Sequence, residues 1–289
     1  MNHQATQETL PRPLVTQEWL AQRLGAPGLV VLDASVGTHR GAAKRIPGAR
    51  PFDIDSALSD PSNPLPHTMP GPDQFTEAMR RLGVNRSDAV VVYDAAGIYS
   101  SPRAWWMLRA MGFDTVAVLD GGLPAWTAAS LPLEDNTSVP AVAYGDFTAS
   151  PQPGMIIDAD AVASSLADPD TTVLDARAAA RFQGAAPEPR PGLRGGHMPG
   201  AVNLPFTDIQ RDNRMLPAAE LRASFEDVAP GSRKLVFSCG SGVTACVLAL
   251  AATLAGHLQL AVYDGSWSEW GLPSERPVVT GDSTGRQQT

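Results

Sequence analysis

Cysteine is nearly missing from this sequence: the 289 residues hold two, Cys239 and Cys246. Seven positions apart on one helix and its leading loop, they cannot make a disulfide framework, and the residues around them offer no metal-ligand spacing, so neither a metal nor a cofactor is expected. No apolar run reaches the roughly 18 residues that a membrane-spanning helix needs. The first ten residues are polar and lack an apolar stretch, so no secretory signal is expected, and a reducing, cytoplasmic setting suits a free thiol. Positive charge is also short. Lys and Arg number 22 against 30 Asp and Glu, for a formal net charge of −8, which argues against nucleic acid or an anionic membrane as a partner. A local basic pocket for a small anion stays compatible with that balance. Hydrophobic residues make up 43%, enough for sizeable cores in two ordinary domains or one large one.

What is present comes twice. Thr16 before Gln17-Glu18-Trp19-Leu20 signals a short capped helix, and Gly28–Asp33 reads as a buried strand ending in an acid. The prolines between Ser56 and Pro72 demand a loop, Pro72–Leu82 reads as a helix stopped at Gly83, and Ala89–Tyr93 and Thr115–Leu119 are further buried strands. The pattern then returns. Asp175 repeats Asp33, Cys239 falls over Asp94, Tyr263-Asp-Gly-Ser266 over Leu119-Asp-Gly-Gly122 and Trp270 over Trp126, at separations of 142–145 residues. The Pro-Gly turn after Ile46 returns after Met198, at 152. Such order implies a tandem duplication. Strands alternating with helices make each copy α/β, a parallel sheet flanked by helices. The expected boundaries are a flexible tail over 1–10, a first domain over 11–133, a linker over 134–153, a second domain over 154–283 and a tail over 284–289.

The chemistry is expected in the second copy. The strand Lys234–Ser238 stops at Cys239, and Gly240-Ser241-Gly242-Val243-Thr244 leads into an apolar helix. Loop amides and the positive end of a helix dipole stabilise an anion at that point, which favours a thiolate. Asp94 at the equivalent point is no sulfur nucleophile, so the first copy is expected to be silent. A loop that cleaves phosphate esters would carry an arginine six positions after its cysteine, and Ala245 stands there. Sulfur transfer through a persulfide needs no such charge.

With these residues in view, the chain resembles the tandem-domain rhodanese sulfurtransferases from about Leu14 to Val279. The loop Cys239–Thr244, together with Asp175-Ala-Arg177, Arg181-Phe182, Glu188-Pro-Arg190, Gly196–Ala201 and Trp267–Trp270, is similar to the 3-mercaptopyruvate sulfurtransferase branch. Thiosulfate-preferring members carry cationic residues where this chain has Gly240 and Ser241. The resemblance implies two rhodanese-like domains with the site between them, and a Cys239 persulfide that takes sulfur from 3-mercaptopyruvate and passes it to a thiol such as thioredoxin, or to cyanide. A thiosulfate sulfurtransferase is the alternative within the class, and a persulfide carrier that turns over free donors poorly is the alternative outside it. By the same resemblance Arg181 and Arg190 bind the donor carboxylate and carbonyl, with Gly240, Gly242 and Val243 lining the substrate side.

Ser241 is expected to hydrogen-bond the thiolate, the donor or the departing enolate. Thr244 does the same or caps the following helix. Some members use a Ser/His/Asp relay whose histidine is taken to precede the first Pro-Gly turn. Arg45 occupies that position here, so protons are expected from water or another group. His67 is either a cleft contact from the first domain or a solvent-exposed loop residue. Arg177 is expected to pair with an acid, Arg194 to be solvated, His197, Asp33 and Asp175 to be structural, and Cys246 to be buried.

Overall fold

Aliphatic runs set the strands. In the computed structural model, which describes residues 10–137 and 141–282, the chain forms two compact units. The first comprises the described residues of Met1–Ser62, Met69–Pro153 and Asp212–Met215; the second comprises those of Asn63–Thr68, Gly154–Arg211 and Leu216–Thr289. Except for Leu10, the two expected tails lie outside the described residues. Leu10 itself is buried in the first core.

The first unit holds strands β1 (Leu14–Val15), β2 (Leu29–Asp33), β3 (Arg50–Pro51), β4 (Ala89–Tyr93) and β5 (Val116–Leu119), all parallel, in the order β1-β5-β4-β2-β3. Every residue of β4 is buried, as a central strand covered on both faces requires. Helices α1 (Gln17–Ala21), α2 (Pro72–Arg81), α3 (Ser101–Ala110) and α4 (Gly122–Ala128) flank the sheet. Thr16 caps α1 by accepting from the Trp19 amide. The stretch expected as a linker contributes to this unit: Glu134–Asp135 pairs antiparallel with Lys44–Arg45, and Phe147 is buried against Phe75 and Phe113.

The second unit repeats the design. Its strands are β6 (Ile156–Ile157), β7 (Thr171–Asp175), β8 (Val202–Asn203), β9 (Lys234–Ser238) and β10 (Gln259–Tyr263), parallel in the order β6-β10-β9-β7-β8, which is the order of the first sheet. Its helices are α5 (Ala159–Leu166), α6 (Ala179–Phe182), α7 (Ala218–Val228), α8 (Ala245–Ala255) and α9 (Ser266–Trp270). The tryptophans match in detail: Trp126 Nε1 donates to Pro132 O at 2.7 Å, and Trp270 Nε1 to Pro277 O at 2.9 Å. Both rings are buried, as are Trp105, Trp106 and Trp267. The middle strand of the second sheet, β9, therefore delivers Cys239 at the carboxyl end of the sheet, where open α/β folds bind ligands.

Candidate active site

Cys239 follows β9, and its loop runs directly into α8, so the strand and the helix fix both ends of six residues. Cys239 is 1% exposed and unpaired by any disulfide. The loop is held from α9. Trp267 N donates to Cys239 O at 2.9 Å, and Ser268 donates to Gly240 O through its amide at 2.8 Å and its hydroxyl at 2.6 Å. Ser266 Oγ accepts from the amides of Cys239 and Gly242, each at 3.1 Å. Gly242 thus spends its amide on loop shape rather than on a substrate. Among the described residues, the amides of Gly240, Ser241, Val243 and Thr244 donate to no acceptor. Thr244 stands at the N-terminus of α8 but its side chain makes no capping bond, so the helix-cap alternative is set aside. Val243, Ser241 and Thr244 are buried around the cysteine.

Two guanidinium groups meet this loop at Gly240. A Cβ on Gly240 would stand 3.3 Å from Arg181 Nη2, a tight approach, and 4.0 Å from Arg190 Nη1, an ordinary contact. Their charges are compensated differently. Arg181 is paired with Glu188, through Nη2 to Oε2 at 2.5 Å and Nε to Oε1 at 3.3 Å. Arg177 shares Glu188 Oε1 at 2.8 Å and grips Asp175 from its Nε and Nη2. Burial opposes the Arg177 charge, but the two carboxylates outweigh it and hold its pKa above the ordinary guanidinium value. Arg177 also lies 4.1 Å over the Trp267 ring, which ties the arginine ladder to α9. Arg190 has no ion pair among the described residues and only a long 3.4 Å bond to Ser268 Oγ. Two carboxylates thus balance Arg177 and Arg181, and the positive charge left beside the cysteine is Arg190.

His67, which belongs to the second unit, is half-buried with Nδ1 2.9 Å from Ser241 Oγ. It is therefore a neighbour of the cysteine loop and not a solvent-exposed loop residue. Its backbone has φ +61°, the left-handed region, so the ring direction is set by a constrained turn. In the first unit, Arg45 is nearly buried, its Nε donating to Glu134 Oε1 at 2.6 Å and its Nη1 to Asn136 Oδ1 at 3.1 Å.

The silent copy shows what its loop does with an anion. Asp94 is fully buried, and one oxygen, Oδ2, accepts from the amides of Tyr99, Ser100 and Ser101 and from Ser101 Oγ, at 2.7–3.0 Å. The other oxygen accepts from Ala96 N at 3.0 Å. Strand end, loop amides and helix N-terminus thus form an anion cradle that the first copy fills with its own carboxylate.

The remaining residues settle into structure. His197 Nδ1 is 2.9 Å from Phe182 O and its ring stacks on Phe182 at 3.7 Å; burial pushes its pKa below the ordinary histidine value. Asp33 and Asp175 accept from Ser35 N and Arg177 N and close the turns after their strands. Cys246 is buried, its thiol donating to Gly242 O at 3.3 Å. Arg194 corrects its expectation: it is not a solvated charge, because its guanidinium donates to Trp270 O at 2.8 Å and Arg276 O at 2.9 Å and anchors the chain after α9.

The rhodanese-like domain model matches residues 16–129 and again 158–272. The chain is 40% identical over 274 residues to a 3-mercaptopyruvate sulfurtransferase of Escherichia coli, covering 91% of this chain and 96% of that one. It is 41% identical over 293 residues to the human 3-mercaptopyruvate sulfurtransferase, covering 96% and 98%. The crystal structure of SseA from Escherichia coli, described as a 3-mercaptopyruvate sulfotransferase with the rhodanese fold, superposes with a TM-score of 0.79 at 37% identity, over 90% of this chain and all of that one. With two matched copies, the cysteine loop in the second and relatives aligned over nearly the whole length, the chain belongs to the rhodanese family.

Proposed function

We propose that this chain is a 3-mercaptopyruvate sulfurtransferase that carries sulfur as a persulfide on Cys239, with Arg181 and Arg190 as its donor-binding residues. The relatives' shared activity supports the donor. The observation that carries the reading within the site is the pair of arginines at Gly240, beside a loop with no cationic side chain of its own. A keto acid with a carboxylate at one end and sulfur at the other fits that separation of charge from nucleophile.

In the proposed sequence the donor carboxylate docks on Arg190, whose charge is uncompensated, and the carbonyl faces Arg181. Cys239 thiolate attacks the donor sulfur. The new S–S bond forms as the C–S bond breaks, and that electron pair leaves with carbon as the enolate of pyruvate. Arg181 and Arg190 stabilise the enolate oxygen and carboxylate. Ser241 Oγ gives the carbon its proton and is resupplied from His67, which is the group proposed in place of a histidine at the Arg45 position. The open amides of the loop hold the Cys239 persulfide. A thiolate acceptor such as a thioredoxin-like protein, or cyanide, then attacks the outer sulfur and Cys239 leaves as thiolate. No helix of the described residues is long and apolar enough to cross a membrane. A reducing compartment, the cytoplasm, is the setting proposed for such a thiol.

Turnover of 3-mercaptopyruvate and of thiosulfate, each with cyanide as acceptor, tests the donor. A clear preference for 3-mercaptopyruvate in kcat/KM is expected. A wide preference for thiosulfate would contradict the donor assignment, and a stable persulfide with negligible turnover of both donors would instead indicate a carrier.

A further inference from the structure

The backbone beside the cysteine loop contains a residue that elementary sterics disfavours. Ser266 has φ +49°, a conformation that costs little for glycine and more for a residue with a Cβ. It is fully buried. Its Oγ accepts from Cys239 N and Gly242 N and donates to Tyr263 O at 2.9 Å, which uses all three capacities of a hydroxyl.

The silent copy supplies the control. The residue equivalent to Ser266 is Gly122, with nearly the same φ, +52°. A Cβ there would come within 2.4 Å of Asp94 O and of Gly97 O, so the first loop admits only glycine. The next residue behaves alike in both copies: Leu123 N donates to Asp94 O at 3.0 Å, as Trp267 N donates to Cys239 O. That contact belongs to the fold. The hydroxyl bridge belongs only to the copy that carries the cysteine. A strained side chain retained where a relaxed glycine serves the same fold points to a task at the site.

We propose that Ser266 is a positioning residue for sulfur transfer, its hydroxyl tying the first and fourth amides of the cysteine loop to one point and thereby fixing where Cys239 Sγ stands. With those two amides turned to Ser266, the amides of Gly240, Ser241, Val243 and Thr244 are left for the sulfur that Cys239 accepts. The proposal rests on the sulfur-transfer reading above, and it acts through Cys239 rather than on the donor.

The test compares wild type with Ser266→Gly, which keeps the backbone relaxed, and Ser266→Ala, which keeps the Cβ and loses only the hydroxyl. Three quantities are read: kcat and KM with 3-mercaptopyruvate, the second-order rate of Cys239 alkylation by iodoacetamide, and the melting temperature. In both variants kcat is expected to fall by about 10- to 100-fold, the size of effect that small misplacement of a reacting group produces. KM should stay within about twofold, because the arginines are untouched. The alkylation rate should shift by about tenfold while Ser266→Gly melts near wild type. Unchanged kcat and alkylation rate with only a lowered melting temperature would overturn the proposal. Should the alanine variant fail to fold, the glycine variant decides alone. If wild type itself turns over no 3-mercaptopyruvate, the donor reading fails, while the alkylation rates still judge Ser266.

Discussion

His67 Nδ1 lies 2.9 Å from Ser241 Oγ, two positions after Cys239 along the loop, although the two residues are 174 apart in sequence. In the proposed mechanism this pair is the proton source for the enolate. His67→Ala is expected to lower kcat with 3-mercaptopyruvate by about 100-fold, the lower end of what a positioned acid contributes. Discharge of a preformed persulfide to cyanide needs no proton at carbon and should change little. Single-turnover kinetics of the two half-reactions separates these, and equal losses in both would count against the relay.

Arg190 carries the uncompensated positive charge beside the cysteine. Arg190→Ala should raise the donor KM by roughly 10- to 100-fold, the worth of a charge-assisted hydrogen bond, with a smaller effect on persulfide discharge. Arg190→Lys should recover only part, since an ammonium cannot grip a carboxylate in two places. Steady-state kinetics over a range of donor concentration checks this.

These two predictions differ in how far the sequence led to them. The duplication, the strand ends at Asp33, Asp175 and Cys239, and the arginines at 181 and 190 are all local patterns, and local patterns survive translation into sequence. The segment between β7 and the second Pro-Gly turn is ten residues longer than its first-copy counterpart, and it holds Arg181, Glu188 and Arg190. That inserted run carries the arginines proposed to bind the donor. His67 was legible as a candidate but not as the partner of Ser241, because that contact spans 174 residues and no spacing rule reaches so far. The anchoring of Arg194 is not legible for a related reason: its partners are backbone carbonyls, which every residue carries and no sequence pattern marks. Ser266 carries a sequence signal of its own, a serine where the first copy has the second glycine of Asp120-Gly121-Gly122.

Asp94 offers a contrast between stability and activity. Its buried carboxylate accepts four bonds on one oxygen and one on the other, so Asp94→Ala strands several buried amides. A loss of at least about 3 kcal/mol is expected in denaturant unfolding, with kcat per folded molecule unchanged. A loss of kcat without a loss of stability would contradict the structural role.

His197 and His257 both titrate below the ordinary value of 6.5, and burial is the main cause in each. The unfolded chain therefore binds more protons than the folded chain as pH drops. The stability these residues contribute is complete above 6.5 and is lost as pH falls from there through their folded values. Melting temperature should decline as pH falls below 6.5, and the double variant His197→Asn, His257→Gln should flatten that decline. An unaltered slope would show that other groups dominate.

Intact-mass analysis after brief exposure to 3-mercaptopyruvate tests the central claim most directly. The account predicts a gain of one sulfur atom, located on Cys239, removed by cyanide and absent from Cys239→Ser. No gain in wild type, or a gain that persists in Cys239→Ser, would contradict it.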